Sequence, residues 1–193
     1  SYAAPSATAP VNERLSITNT SLTGGYTAVK FGSGSINQPV SDGLDIEGCS
    51  FADQGYQAVY AYMAKGVSVT GNRFTGTGSH DDKNYCQMID LNISGPAEIT
   101  GNTLKYDKTG VYGLYLRMLG GSADAPVLIA NNVIDINTRE QSGAGIQLYN
   151  SSGKPFTGFT LAHNTVQTAT APGGVAIPLI INVKSGTTVS LSL

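Results

Sequence analysis

The chain has 193 residues and 20.0 kDa, enough for one domain with a core of its own. Only 12% of residues are charged, 40% are hydrophobic, and there are 24 Gly and no Trp. This excludes a highly charged disordered chain and favours many short strands joined by tight turns. A net charge of −2 without a basic patch argues against a nucleic-acid partner. No apolar run reaches the ~18 residues needed to span a bilayer.

In chain order, residues 1–14 read as a linker or cap, and 15–193 as a single repeat domain. The repeat is short: apolar, x, apolar, two small or polar residues, Asn, x, apolar. Weak copies come first, Leu15-Ser-Ile17 through Leu22 and Leu44-Asp-Ile46 through Phe51, with Thr20 and Cys49 in the Asn position. Full copies follow: Val67-Ser-Val69 with Asn72, Ala97-Glu-Ile99 with Asn102, Val127-Leu-Ile129 with Asn132, and Phe159-Thr-Leu161 with Asn164. The second apolar residue falls at 17, 46, 69, 99, 129 and 161, in steps of about 29, 23, 30, 30 and 32. Between copies lies a second strand segment. Its apolar pairs are Val29/Phe31, Val59/Ala61, Ile89/Leu91, Leu114/Leu116, Ile146/Leu148 and Ile177/Leu179. Two strand columns sharing one period require a coil that returns to the same place each turn, and alternation with period 2 puts these apolar residues inside. Cys49 and Cys86 occupy different kinds of position in the repeat, which argues against a disulfide between them.

In stacked coils like residues lie ~4.8 Å apart, so the amides of Asn72, Asn102, Asn132 and Asn164 can bond one another and the turn backbone. Asn also tolerates the left-handed conformation such a turn uses. This column resembles the asparagine ladder of the pectate-lyase-like superfamily, over about residues 15 to 186. The resemblance implies an all-β, single-stranded right-handed parallel β-helix of about six coils. It further implies a protein that handles polysaccharide, as a lyase, a hydrolase or a phage tailspike depolymerase. Such a protein is expected outside the cell, at its surface or on a virion. The alternative is a non-catalytic adhesin or rigid spacer of a surface protein. Six coils are few for this superfamily, so a small member or a piece of a larger protein is expected. Open solenoid ends expose unpaired backbone, which predicts flanking domains or a homo-oligomer, a trimer in the tailspike case.

The residues between the inward pairs of the second segment should face solvent as two rows. One is Lys30, Tyr60, Asp90, Tyr115, Gln147, Pro178; its neighbour is Gly32, Tyr62, Asn92, Arg117, Tyr149, Ile180. The residues just before are small: Ala28, Ala58, Gly113, Gly145 and Ala176. The outward row of the other strand, Ser16, Asp45, Ser68, Glu98, Leu128 and Thr160, has a plainer character. Tyr rings suit the C–H face of a sugar, and Arg117 suits a hydroxyl pair or a uronate carboxylate. Lys30, Tyr60, Tyr62, Asn92, Tyr115, Gln147 and Tyr149 are therefore the candidate carbohydrate contacts. Candidate catalytic groups are Asp90 and Arg117, with Asp81, Asp82 and His80 from the Ser79-His-Asp-Asp-Lys-Asn84 turn. Paired carboxylates held ~5–9 Å apart serve glycoside hydrolysis, and a nearby His can shuttle protons. The same three acids are the one place for a Ca2+ ion, which a lyase would use; no other cofactor or metal is expected. His163, just before ladder Asn164, is read as structural.

Overall fold

The computed structural model describes residues 13–32, 40–76, 86–107, 110–118, 126–138, 142–150, 157–182 and 188–192. Their strands pair in parallel throughout and stack into a solenoid with three strand columns. The first column pairs Ile17 with Ile46, Ile46 with Val69, then Ile99, Ile129 and Leu161, as the repeat predicts. It continues one strand further, to Leu191 in Thr188–Ser192. A second column stacks the apolar residue that follows the Asn: Leu22, Phe51, Phe74, Leu104, Ile134 and Val166. The third column carries Val59, Ile89, Leu114 and Ile146 in register. These inward residues form one continuous core, in which Phe51 and Phe74 stack with ring centroids 4.7 Å apart.

Three expectations need correction. The count of six coils is slightly high: the winding amounts to about four turns, and the terminal strands are covered on one side only. Accordingly Ile46, Val69, Ile99 and Ile129 are fully buried, whereas Ile17 is partly exposed. In the last coil the third column is displaced by two residues, with Ile146 opposite Leu179 and Leu148 opposite Ile181. A two-residue shift keeps every side chain on its face, so alternation alone cannot detect it. Ile180 and Asn182, not Pro178 and Ile180, therefore complete the two outward rows. Finally, the left-handed residue of the Asn turn is the one before the ladder. Gly71, Gly101, Asn131 and His163 have φ of 64°, 66°, 57° and 54°. Gly, Asn and His there meet a backbone demand, which gives His163 its structural role.

The step of 23 between Ile46 and Val69 also has a local cause. Gln57–Thr70 is one unbroken strand that serves the third column and then the first, turning the corner through a bulge between Tyr62 and Ala64. Met63 takes φ 52° at that bulge. The small residues of the third column are dictated by the narrow core. A Cβ at Gly145 would stand 2.2 Å from Val166 Cγ1 and 2.8 Å from the Pro178 carbonyl oxygen.

The ladder closes as the spacing predicts. Nδ2 of Asn72 donates to Oδ1 of Asn102 at 3.0 Å, Asn102 to Asn132 at 3.0 Å, and Asn132 to Asn164 at 2.9 Å. Each Nδ2 also donates to a first-column carbonyl one rung back: Ile46, Val69, Ile99 and Ile129 in turn. Cys49 extends the column, its N–H donating to Asn72 Oδ1 at 2.8 Å and its thiol lying 3.3 Å from the Ile17 carbonyl. Cys49 and Cys86 are both buried, and no disulfide joins them.

Candidate functional site

The third column carries the site, because its register brings distant residues onto one strip. Lys30 lies beside Tyr60, Tyr60 beside Asp90, Asp90 beside Tyr115, and Tyr115 beside Gln147. The next row places Tyr62 beside Asn92, Asn92 beside Arg117, and Arg117 beside Tyr149. With Val59 and Ala61 in the core, Tyr60 and Tyr62 are directed outward, their ring centroids 6.2 Å apart.

Not all of the strip is open. Every residue of strand Cys86–Ile93 is buried, and both Asp90 (0% exposed) and Asn92 (1%) are covered. The prediction that these two face solvent is corrected on this point. They belong to the outward rows, but the larger side chains of adjacent rungs close over them. Arg117 Nη2 donates to both Asp90 oxygens, each at 2.7 Å, and Gln57 Nε2 donates to Asp90 Oδ2 at 2.7 Å. Gln57 Oε1 in turn accepts from Thr27 Oγ1 at 3.4 Å. Asp90 thus anchors a chain of polar groups across four strands. Burial pushes its carboxyl above the ordinary value, and Arg117 and Gln57 pull back against that. Arg117 also loses hydration, which alone would weaken its hold on the proton. The Asp90 charge and hydrogen bond more than offset this, and its pKa is raised.

Aromatic rings frame this pair. The Arg117 guanidinium carbon stands 5.1 Å from the centre of the Tyr115 ring, and Tyr112 meets Tyr115 edge-on at 5.6 Å. Burial followed by the Asp90 charge raises the Tyr60 phenol; burial raises that of Tyr115, with Arg117 opposing. Below them opens a cleft of about 580 Å3 lined by Tyr26, Thr27, Lys30, Tyr56, Gln57, Tyr60, Asp90 and Arg117. Tyr26 and Tyr56 stack there with centroids 5.0 Å apart and planes 29° from parallel.

The structure thus brings Lys30, Tyr60, Asp90 and Arg117 into one cleft, with Tyr62 and Tyr115 alongside. Gln147 and Tyr149 sit half-exposed on the following rung, outside the lining. His80, Asp81 and Asp82 lie outside the described residues, and so does the Ca2+ site they would build with Asp90. Among the described residues no group of three or more acids, His or Cys could hold a metal. Asp90 itself already has both oxygens occupied by donors. Sequence reasoning missed Tyr26, Tyr56, Thr27 and Gln57. Their signal was present, since Gly25-Tyr-Thr-Ala-Val29 and Gly55-Tyr-Gln-Ala-Val59 are near-copies. Parity, however, assigns Gln57 to the inside with Val59; at the strand start it reaches Asp90 instead.

The architecture defines a parallel β-solenoid with a polar and aromatic cleft on one face. The sequence matches the family described as "Right handed beta helix region" over residues 7–177, and the chain belongs to that family. The family includes polysaccharide-degrading enzymes. No curated protein and no solved structure matches the sequence. Among the described residues no helix is long and apolar enough to cross a membrane.

Proposed function

We propose that this protein binds a polysaccharide along the third-column strip, with the Tyr26–Arg117 cleft as its main contact. The observation that carries this reading is the cleft itself. It joins a stacked tyrosine pair to a network of Gln57, Asp90 and Arg117, with Lys30 on the same lining. Flat phenol rings take the apolar face of a sugar, while amide, guanidinium and ammonium groups take its oxygens. Rungs repeating every ~4.8 Å offer similar groups at regular steps, which suits a repeating polymer. The outward row of the first column has no such grouping. Asp45, Ser68, Glu98 and Leu128 follow one another there without an aromatic ring.

Binding is the part of the reading that the cleft supports. Hydrolysis uses two carboxyl groups ~5–9 Å apart, and Asp90 is the one carboxylate lining the cleft among the described residues. Asp90 is better suited to hold Arg117 in place than to meet a leaving group.

Glycan-array binding tests the proposal. Tyr26→Ala and Tyr60→Ala should each weaken retention at least about tenfold, one lost aromatic contact at a sugar-sized site. Their circular dichroism should stay unchanged. Retention indifferent to both substitutions would overturn the reading in favour of an adhesin stalk or spacer. Incubation of retained glycans with the protein, followed by assays for new reducing ends and for unsaturated uronate, separates binding from cleavage.

A further inference from the structure

Beside the Asp90–Arg117 pair, two buried donors have no acceptor. Asn92 is 1% exposed and its Nδ2 makes no hydrogen bond; Arg117 Nε is likewise buried and unpartnered. The two residues are paired in register on adjacent strands, so their backbones lie about one rung, ~4.8 Å, apart. A buried donor that has given up hydration without gaining a partner is rare in folded proteins, and two on adjacent rungs call for one explanation.

The geometry points to an acceptor subsite in which Asn92 Nδ2 and Arg117 Nε together take one carboxylate of an acidic sugar. This rests on the polysaccharide reading and names the class of sugar. Chemistry and charge both select a carboxylate. A sugar hydroxyl would bring a proton that needs its own acceptor, and the Asp90 oxygens already accept from Arg117 and Gln57. A carboxylate only accepts, which matches two groups that only donate. Asp90 cancels the charge of Arg117, and Lys30 is the remaining cation of the cleft lining, with no ion pair among the described residues. One surplus positive charge fits one carboxylate. A dianion such as a phosphate monoester would face the Asp90 charge with too little compensation. Access needs only side-chain motion, because Arg117 is 29% exposed and its cover includes the half-exposed Tyr115 ring.

The test is heteronuclear NMR of the whole chain, following the Arg117 Nε–H and Asn92 side-chain amide signals. The probes are sodium glucuronate, glucose, and sodium chloride at matched ionic strength. Both signals should move together and saturate with glucuronate alone. Asn92→Asp removes the amide donor and sets a fixed carboxylate in the subsite, so it should weaken glucuronate at least about tenfold. Asn92→Leu removes the donor at similar volume; should the Asp variant fail to fold, the same loss is expected of it. Signals that stay fixed in glucuronate, or respond equally to glucose, overturn the subsite. Fixed signals in exchange with solvent would show that an ordered water alone fills it, and would overturn the subsite as well. The glycan array keeps the two claims apart. Retention of neutral glycans with a silent Asn92–Arg117 pair sinks the subsite and leaves the polysaccharide reading standing. No retention of any glycan sinks that reading, and with it the assignment of the anion to a sugar.

Discussion

The asparagine ladder and the third-column cleft are both polar networks built by stacking, yet they end differently. In the ladder each amide finds its partners one rung on and one rung back. In the cleft the network runs from Thr27 through Gln57 and Asp90 to Arg117, then stops with Asn92 Nδ2 and Arg117 Nε unmet. Identical residues at identical turns can satisfy one another, because each amide carries a donor and an acceptor. Unlike residues on a strip cannot all do so, and the unmet groups are what a ligand can use. A closed network holds the fold; an open one can bind.

The largest effect should come from breaking the closed network. Asn102→Ala takes the side-chain acceptor from the Asn72 backbone N–H and the amide donor from the Val69 carbonyl, and it removes one of the two bonds made by Asn72 Nδ2 and by Asn132 Oδ1. A loss of about 4 kcal/mol is expected in denaturant unfolding, from several buried groups at ~1–3 kcal/mol each. Arg117→Ala should cost about 3 kcal/mol, because it strands the fully buried Asp90 carboxylate. Adding Asp90→Asn should recover much of this, and a double-mutant cycle that shows no coupling would refute the pairing. Gly145→Ala should cost about 2 kcal/mol by overpacking against Val166 and the Pro178 carbonyl.

Buried Tyr106 should also report on the fold by titration. Tyr106 is 1% exposed, and burial raises its phenol well above the ordinary value of 10.0. A phenol whose folded pKa is raised adds stability that is complete below the unfolded value and is lost as pH climbs through the folded one. Alkaline unfolding is therefore expected above about pH 10. Ultraviolet titration should show Tyr106 ionising only with that transition, and replacing Tyr106 with Phe should move the transition to higher pH. The smallest effect belongs to a surface pair. Lys65 and Asp42 meet at 3.2 Å with both side chains about half exposed, and Lys65→Ala should change stability by no more than about 0.5 kcal/mol.

Much of the fold was legible because a solenoid repeats one local problem. The spacing of Ile46, Val69, Ile99 and Ile129, and the Asn three residues after each of the last three, recorded the rungs directly. The rows joining Lys30 to Tyr60 and Asn92 to Arg117 followed from the same count. The last coil was misread because Ile177, Leu179 and Ile181 all share one parity, and only pairing with Ile146 distinguishes them. The cleft was half read. Its central charges were visible, while Gln57 and the Tyr26–Tyr56 stack depend on how the chain enters the strand.

By itself, then, the sequence determined the coil, its inward columns and the ladder, because period and parity are local properties that stacking merely copies from rung to rung. Only the tertiary structure decided which outward residues stay open. Whether Asp90 and Asn92 meet solvent or lie covered depends on the size and reach of side chains some 30 residues away, such as Arg117 and Gln57. Packing between rungs sets that exposure, and no pattern along a single strand encodes it.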